Sequence, residues 1–99
     1  MSISIKVYRK LLQVPKGKVT TYSDLAKAIG LKNGHRFVGT IMKKNPYPVI
    51  IPCHRVVKSD CKIGGYSYGE KVKLKMLQKE GIKIKDGKII DFGKGKFYF

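Results

Sequence analysis

Ile51-Pro52-Cys53-His54-Arg55-Val56 places a thiol beside an imidazole and a guanidinium. Cationic neighbours favour the thiolate, which is the nucleophilic form. Adjacent side chains of an extended segment point to opposite faces, so Cys53 and His54 would be coupled through a bridging water. An imidazole acting as a base needs a partner that fixes its tautomer. Glu80 is the candidate. Val72, Met76 and Glu80 recur at i, i+4 and i+8 on one helix face, which turns the carboxylate toward apolar surroundings, where an unpaired charge is costly. The competing reading frays the helix at Gly81 and leaves Glu80 in solvent, and spacing alone leans to it. A plain structural reading covers the pair as well, because a buried free cysteine is commonly inert. Cys53, Cys61, His35 and His54 lack the paired spacing of a structural zinc site, so no metal is expected.

The elements that must hold these groups follow from periodicity. Val7, Tyr8, Leu11 and Leu12 predict a helix over 3–13, capped by Ser2 or Ser4. Residues 18–21 read as a short extended piece. A second helix opens at Thr21 or Ser23, turns Leu25, Ala26 and Ile29 inward, and stops at Gly30. After the Asn33-Gly34 turn, a third helix runs over about 35–44 and ends at Pro46 and Pro48. Two short helices joined by a glycine-containing turn read as a helix-turn-helix. The third helix has an apolar face of Phe37, Val38, Ile41 and Met42. Its other face carries Arg36, Gly39, Thr40 and Lys43, small in the middle and basic at both ends. Such a face suits a groove between phosphates, or else Gly39 packs against a neighbouring helix. Val49-Ile50-Ile51 is expected as a brief buried strand, 59–69 as loop, and 70–80 as a last helix ending at Gly81. Residues 82–92 alternate around Asp86-Gly87 as a β-hairpin, followed by a basic, aromatic tail. The expected architecture is mainly α with small β content: one winged-helix-like domain over residues 1–99, containing a helix-turn-helix.

Charge points to the partner. The 99 residues hold 22 Lys and Arg against 6 Asp and Glu, a net charge of +16. Residues 1–49 contribute +9 and residues 50–99 contribute +7. Such an excess repels itself unless an anion shares the surface, and nucleic acid is the commonest such partner. A lysine-rich thermophilic surface would bring many glutamates, and there are only two. No apolar run nears the ~20 residues of a membrane span, and the first residues lack a secretory pattern, so the thiols are expected in a reducing cytoplasm. The charge favours a monomer.

Pro52-Cys53-His54-Arg55-Val56 resembles the active-site signature of the O6-alkylguanine-DNA alkyltransferases, the methylated-DNA–protein-cysteine methyltransferase family. Further stretches match in order: Val19 to Ala26, Arg36-Phe37-Val38-Gly39, Lys44-Asn45-Pro46, Ile63 to Ser67, and Leu77 to Gly81. The resemblance spans about residues 3–92. It implies that Cys53 accepts the alkyl group, that His54 takes its proton through water, and that Glu80 orients His54. Asn45 would brace the turn. Arg36 would enter the base stack as the damaged guanine leaves, and Tyr22 would press on the 3′ phosphate. Tyr66 and Ser67 would line the base pocket, and the carbonyls of Cys53 and Val56 would meet the base's amino edge. Gly39, Thr40, Lys43 and Arg55 complete the expected DNA contacts, in the minor groove. No cofactor is implied. Tyr68 stands where the family often has glycine, and its bulk is expected to favour methyl over benzyl adducts. Two other readings remain. One is a lesion-binding protein of the alkyltransferase-like kind that performs no transfer. The other is a general winged-helix nucleic-acid binder with an inert cysteine.

Overall fold

The computed structural model describes residues 2–47, 50–66 and 68–99. Ser2 accepts a hydrogen bond from the Ile5 N–H and starts α1, Ile3–Leu11. Val7 and Leu11, one turn apart, are its buried positions, while Leu12 lies past the helix end and is exposed. Thr20–Thr21 form β1, and the Thr21 hydroxyl accepts from the Asp24 N–H to cap α2, Tyr22–Ala28. Gly34 then opens α3, His35–Lys43. A Cβ at Gly34 would stand 2.8 Å from the Leu31 Cβ and 3.2 Å from that of Ala26. Glycine is therefore the residue that lets α2 and α3 meet in a tight helix-turn-helix.

A single 3-10 turn, Cys53–Arg55, leads into β2, Val56–Val57. β1 and β2 pair in parallel, Thr20 with Val56 and Thr21 with Val57. Helix α4, Glu70–Lys79, follows. β3, Ile84–Lys85, and β4, Lys88–Ile89, form an antiparallel hairpin. Its turn residues Asp86 and Gly87 have φ of 53° and 75°, the backbone of a type I′ turn. A helical turn, α5, Phe92–Gly95, ends the alternation that the sequence carries to residue 92.

Two apolar clusters result. One joins Val7, Leu11, Leu25, Val38 and Ile41 around Cys53; the other gathers Val19, Val57, Ile63, Leu77 and Ile89 under the hairpin. The fold is mainly helical with small sheets, as periodicity requires. Several expectations need correction. Phe37 is half exposed, so the buried face of α3 is Val38, Ile41 and Met42. Ile50 is 75% exposed and is no buried strand residue; Pro48 and Val49 lie outside the described residues. On α4 the buried positions are Lys73 and Leu77, whereas Val72 is exposed. The tail is docked. The Val19 N–H donates to the Gly95 carbonyl at 2.8 Å, the Phe97 N–H donates to the Val19 carbonyl at 2.7 Å, and Lys96 pairs with Asp24 at 2.7 Å. No helix of the described residues is long and apolar enough to cross a membrane.

Candidate active site

Cys53 opens the 3-10 turn and is 5% exposed. It forms part of the wall of an open cavity of about 580 Å³, with Tyr22 from α2, Gly39, Met42 and Lys43 from α3, and Gly65 and Tyr66 from the loop before α4. The turn is braced from below. Asn45 Nδ2 donates to the Ile51 carbonyl at 2.9 Å, and its Oδ1 accepts from the Tyr47 N–H at 2.9 Å. Tyr8 adds a tie between helices, its hydroxyl donating to the Ile41 carbonyl at 3.0 Å.

His54 is buried, and its Nε2 lies 2.9 Å from Glu80 Oε2. Burial would raise the Glu80 carboxyl, but hydrogen bonds and charge from Arg55 and His54 outweigh it and hold the group below its ordinary value. An ionised Glu80 only accepts, so Nε2 carries the imidazole proton and donates it. Nδ1 then presents a lone pair, and it has no partner among the described residues. Burial lowers the His54 pKa, Glu80 opposes this, and the charges of Arg55 and Lys73 add to the lowering. The ring is thus kept neutral, the form a base requires.

Glu80 reaches this position as the residue that ends α4, and Arg55 holds it there. Arg55 Nε and Nη2 grip both carboxylate oxygens at 3.0 Å, and Nη1 donates to the Val14 carbonyl at 3.0 Å. Three donors of Arg55, which was expected as a DNA contact, are therefore spent inside the protein. The structure corrects the stripe that led to Glu80. The inward stripe of α4 is Lys73, Leu77 and Glu80, at i, i+4 and i+7.

Lys73 is the residue that sequence reasoning missed. It is fully buried, and its Nζ donates to the Val56 carbonyl at 2.7 Å and the Gly65 carbonyl at 3.1 Å. The ammonium therefore fastens the pocket loop to β2. The Val56 carbonyl, expected to meet a base edge, has one lone pair committed to Lys73. The signal available was Lys73's place one turn before Leu77 and two before Glu80. Burial pushes the Lys73 pKa down to about 8, against a raising effect of Cys53. The unfolded chain keeps this proton up to about 10.5. Between these values the unfolded state binds more protons, so stability gains from Lys73 as pH rises. Urea melts of the wild type should therefore gain on those of K73M from pH 8 to 10, by up to about 1.4 kcal/mol per pH unit. Parallel pH curves would show that Lys73 stays charged in the fold.

Of the remaining expected residues, Tyr22, Gly39, Lys43 and Tyr66 line the cavity with Cys53. A Cβ on Gly39 would only touch the Tyr22 ring at 4.0 Å, so this helix face is open rather than packed. Arg36 and Thr40 are exposed on α3, and the Thr40 hydroxyl donates to the Arg36 carbonyl at 3.1 Å. Burial, and next the proximity of Cys53, raise the Tyr66 phenol to about 12 and push that of Tyr22 up. Both are therefore neutral donors. Ser67 lies outside the described residues. Tyr68 is exposed and stacks edge-on against Tyr66 at 5.6 Å. Among the described residues no cluster of three or more metal ligands occurs.

Comparison with known proteins agrees with this geometry. The family described as 6-O-methylguanine DNA methyltransferase, DNA binding domain, matches residues 2–82. A methylated-DNA–protein-cysteine methyltransferase of Pyrobaculum aerophilum is 54% identical over 71 residues, covering 72% of this chain and 47% of the relative. The crystal structure of an O6-methylguanine-DNA methyltransferase from Pyrococcus kodakaraensis superposes with a TM-score of 0.75 at 47% identity, over 83% of this chain and 47% of that one. S. pombe Atl1, in complex with damaged DNA containing O6-carboxymethylguanine, gives 0.87 at 29% identity over 100% of both chains. The chain spans about half the length of the curated relatives it matches. A cysteine cavity beside a helix-turn-helix, in a chain so matched over residues 2–82, belongs to the 6-O-methylguanine DNA methyltransferase family through its DNA-binding domain.

Proposed function

We propose that the chain repairs duplex DNA by moving the alkyl group, mainly methyl, from O6-alkylguanine to Cys53. The observation that carries this reading is the cavity wall: a cysteine next to a neutral histidine whose Nε2 proton is held by Glu80. The O6 carbon is out of reach inside a duplex, so the nucleotide must flip out, at a few kcal/mol. Arg36 on exposed α3 fills the gap, while α3 lies in the minor groove with Gly39 and Thr40 against it. Minor-groove readout is nearly sequence-blind, which suits a search for damage. Tyr22 and Tyr66 flank the extruded base.

His54 Nδ1, through water, takes the thiol proton. The sulfur attacks the alkyl carbon, an S–C bond forms and the O6–C bond breaks. That electron pair stays on the base, which regains its ring carbonyl and takes up one proton at a ring nitrogen. The thioether has no easy leaving group, so each molecule acts once. The protein works as a monomer in a reducing cytoplasm and needs no cofactor.

A second reading has one observation in its favour: the full-length superposition on S. pombe Atl1 bound to damaged DNA. Binding without transfer would then be the function. Intact-protein mass after mixing with a duplex carrying one O6-methylguanine separates the two. We expect a stoichiometric gain of one methyl group, mapped to Cys53. Tight lesion-selective binding with no mass change would establish the second reading. Run beside an O6-benzylguanine duplex, the methyl reaction should be the faster, because Tyr68 crowds the pocket loop. Equal rates would remove Tyr68 from adduct selection.

A further inference from the structure

The outward face of the hairpin carries a feature that the reaction does not use. Lys85 and Lys88 are register partners in the β3–β4 ladder, and Lys88 is in turn bridged to Lys62 on the preceding loop. Register partners on neighbouring antiparallel strands project to the same side. The alternate positions Ile63 and Ile89 point the other way, into the second core, and Ile84 packs against it. Three exposed lysines therefore stand side by side on two strands and a bridged loop segment, whose backbones are about 4.8 Å apart.

Like charges directly opposite one another destabilise a sheet. Little nearby offsets them. Asp60 reaches Lys62 only at 4.0 Å, with both side chains more than half exposed, and Asp86 sits in the hairpin turn. Lys83 adds a fourth cation just before β3, two residues from Lys85. The fold thus maintains a row of repulsion that a solvated surface would gain by breaking up with a single glutamate.

The row also has a direction. The loop that supplies Lys62 runs back through Lys58, Ser59 and Asp60, which line a shallow cleft with Tyr22, Ser23 and His35. Ser59 Oγ lies 3.5 Å from Ser23 Oγ. One end of the lysine row is therefore continuous with the first turns of α2 and α3, beside the cavity. The hairpin itself lies just past residues 2–82, the stretch matched by the family.

We propose that Lys62, Lys88 and Lys85 form a rail for the phosphodiester backbone of duplex DNA, continuing the contact past the helix-turn-helix. The row spans about 10 Å from strand spacing. Phosphates of one strand recur every ~3.4 Å along the duplex axis and lie farther apart along the backbone itself, a spacing that flexible lysine side chains on ~4.8 Å centres can follow. This inference rests on the reading of the chain as a duplex-DNA binder and adds a second contact surface to it. Because the rail grips backbone only, it contributes to every sequence equally and helps the protein stay on DNA while it searches.

The test is fluorescence anisotropy on an undamaged duplex of roughly 20 base pairs, about two helical turns, titrated with salt. The wild type is compared with K62Q/K85Q/K88Q and with a charge-matched control, K6Q/K75Q/K79Q, on α1 and the outer face of α4. The rail variant should flatten the log–log salt slope by about 2.7, at 0.9 for each phosphate released. Its melting temperature should stay level or rise, because like-charge repulsion is relieved, whereas lysines with only a structural role would lower it. The control should change the slope by less than half as much. An unchanged slope in the rail variant, or an equal change in the control, overturns the rail while leaving duplex binding intact. A wild-type protein that does not bind the duplex overturns both readings.

Discussion

Replacing Cys53 by serine should abolish methyl uptake while leaving the protein bound to its lesion. The substitution removes the nucleophile itself, so the loss should exceed the roughly 10⁴-fold that proton transfer alone can supply. Serine keeps the shape of the residue, and the remaining walls of the cavity come from α2, α3 and the loop before α4. Affinity for an O6-methylguanine duplex should therefore stay within about threefold, or ~0.7 kcal/mol. Gel-shift titration and intact mass, run on the same samples, check both halves. Residual stoichiometric methylation of C53S would move the acceptor to another residue. Loss of binding along with transfer would make the cysteine a structural part of the pocket.

Glu80→Gln should produce the second large effect, and on two observables. Glu80 touches both His54 and Arg55, and Arg55 also reaches Val14, three residues past α1. Removing its charge leaves a largely buried guanidinium unneutralised, which costs about 3 kcal/mol. For a chain of this size that is a fall of about 15 °C in melting temperature. Below the melt, the methylation rate should drop by about 10²–10⁴, because His54 loses the partner that fixes its tautomer. E80D, which restores the charge on a shorter arm, should recover more of the rate than of the stability. A rate that falls only where the variant is unfolding would reduce Glu80 to a scaffold.

The same carboxylate shapes the response to acid. The folded state keeps His54 neutral where an unfolded chain would protonate below about 6.5, and keeps Glu80 ionised below the ordinary 4.5. In both windows the unfolded chain binds more protons, so stability falls as pH falls. The decline begins below 6.5 with His54 and steepens below 4.5 with Glu80. In E80Q the lower component should disappear from a series of urea melts.

Much of this arrangement was legible in the residues. The helix-turn-helix followed from spacing and from Gly34, and the hairpin from Asp86-Gly87, because local geometry decides both. The Cys53-His54 pair was visible as chemistry, and ordered motifs pointed to Asn45 and Glu80, which the structure places against Ile51 and His54. What periodicity misread were side chains whose polarity hides their burial. Lys73 is fully buried because its ammonium finds two carbonyls, 8 and 17 residues away along the chain. Hydropathy therefore chose Val72 as inward, one residue off, and the stripe through Met76 followed. Arg55 was expected as a DNA contact alongside the resemblance. Its partners within the protein, Val14 and Glu80, lie 41 and 25 positions away along the chain, so no local pattern marks them. Ile50 and Phe37 are the converse case, apolar side chains left at the surface. The tail reads only as basic and aromatic, and backbone hydrogen bonds to Val19 together with the Lys96–Asp24 ion pair dock it.

The parallel ladder that runs from Val56 through Thr20 and Val19 to Lys96 has a kinetic meaning. Its pairings join segments about 36 and 77 positions apart in the sequence. Contacts so distant form late, since loop closure must be met before they can help. The turn that carries Cys53 leads directly into this ladder, and the base that serves it is held from the end of α4. A nascent chain that has exposed Cys53 and His54 but not yet residues 80 and 97 therefore has a thiol and an imidazole without the carboxylate, the loop or the seat that position them. The pocket around the sulfur is complete only when the last segment joins the first, so the proposed transfer site is assembled after the chain is whole.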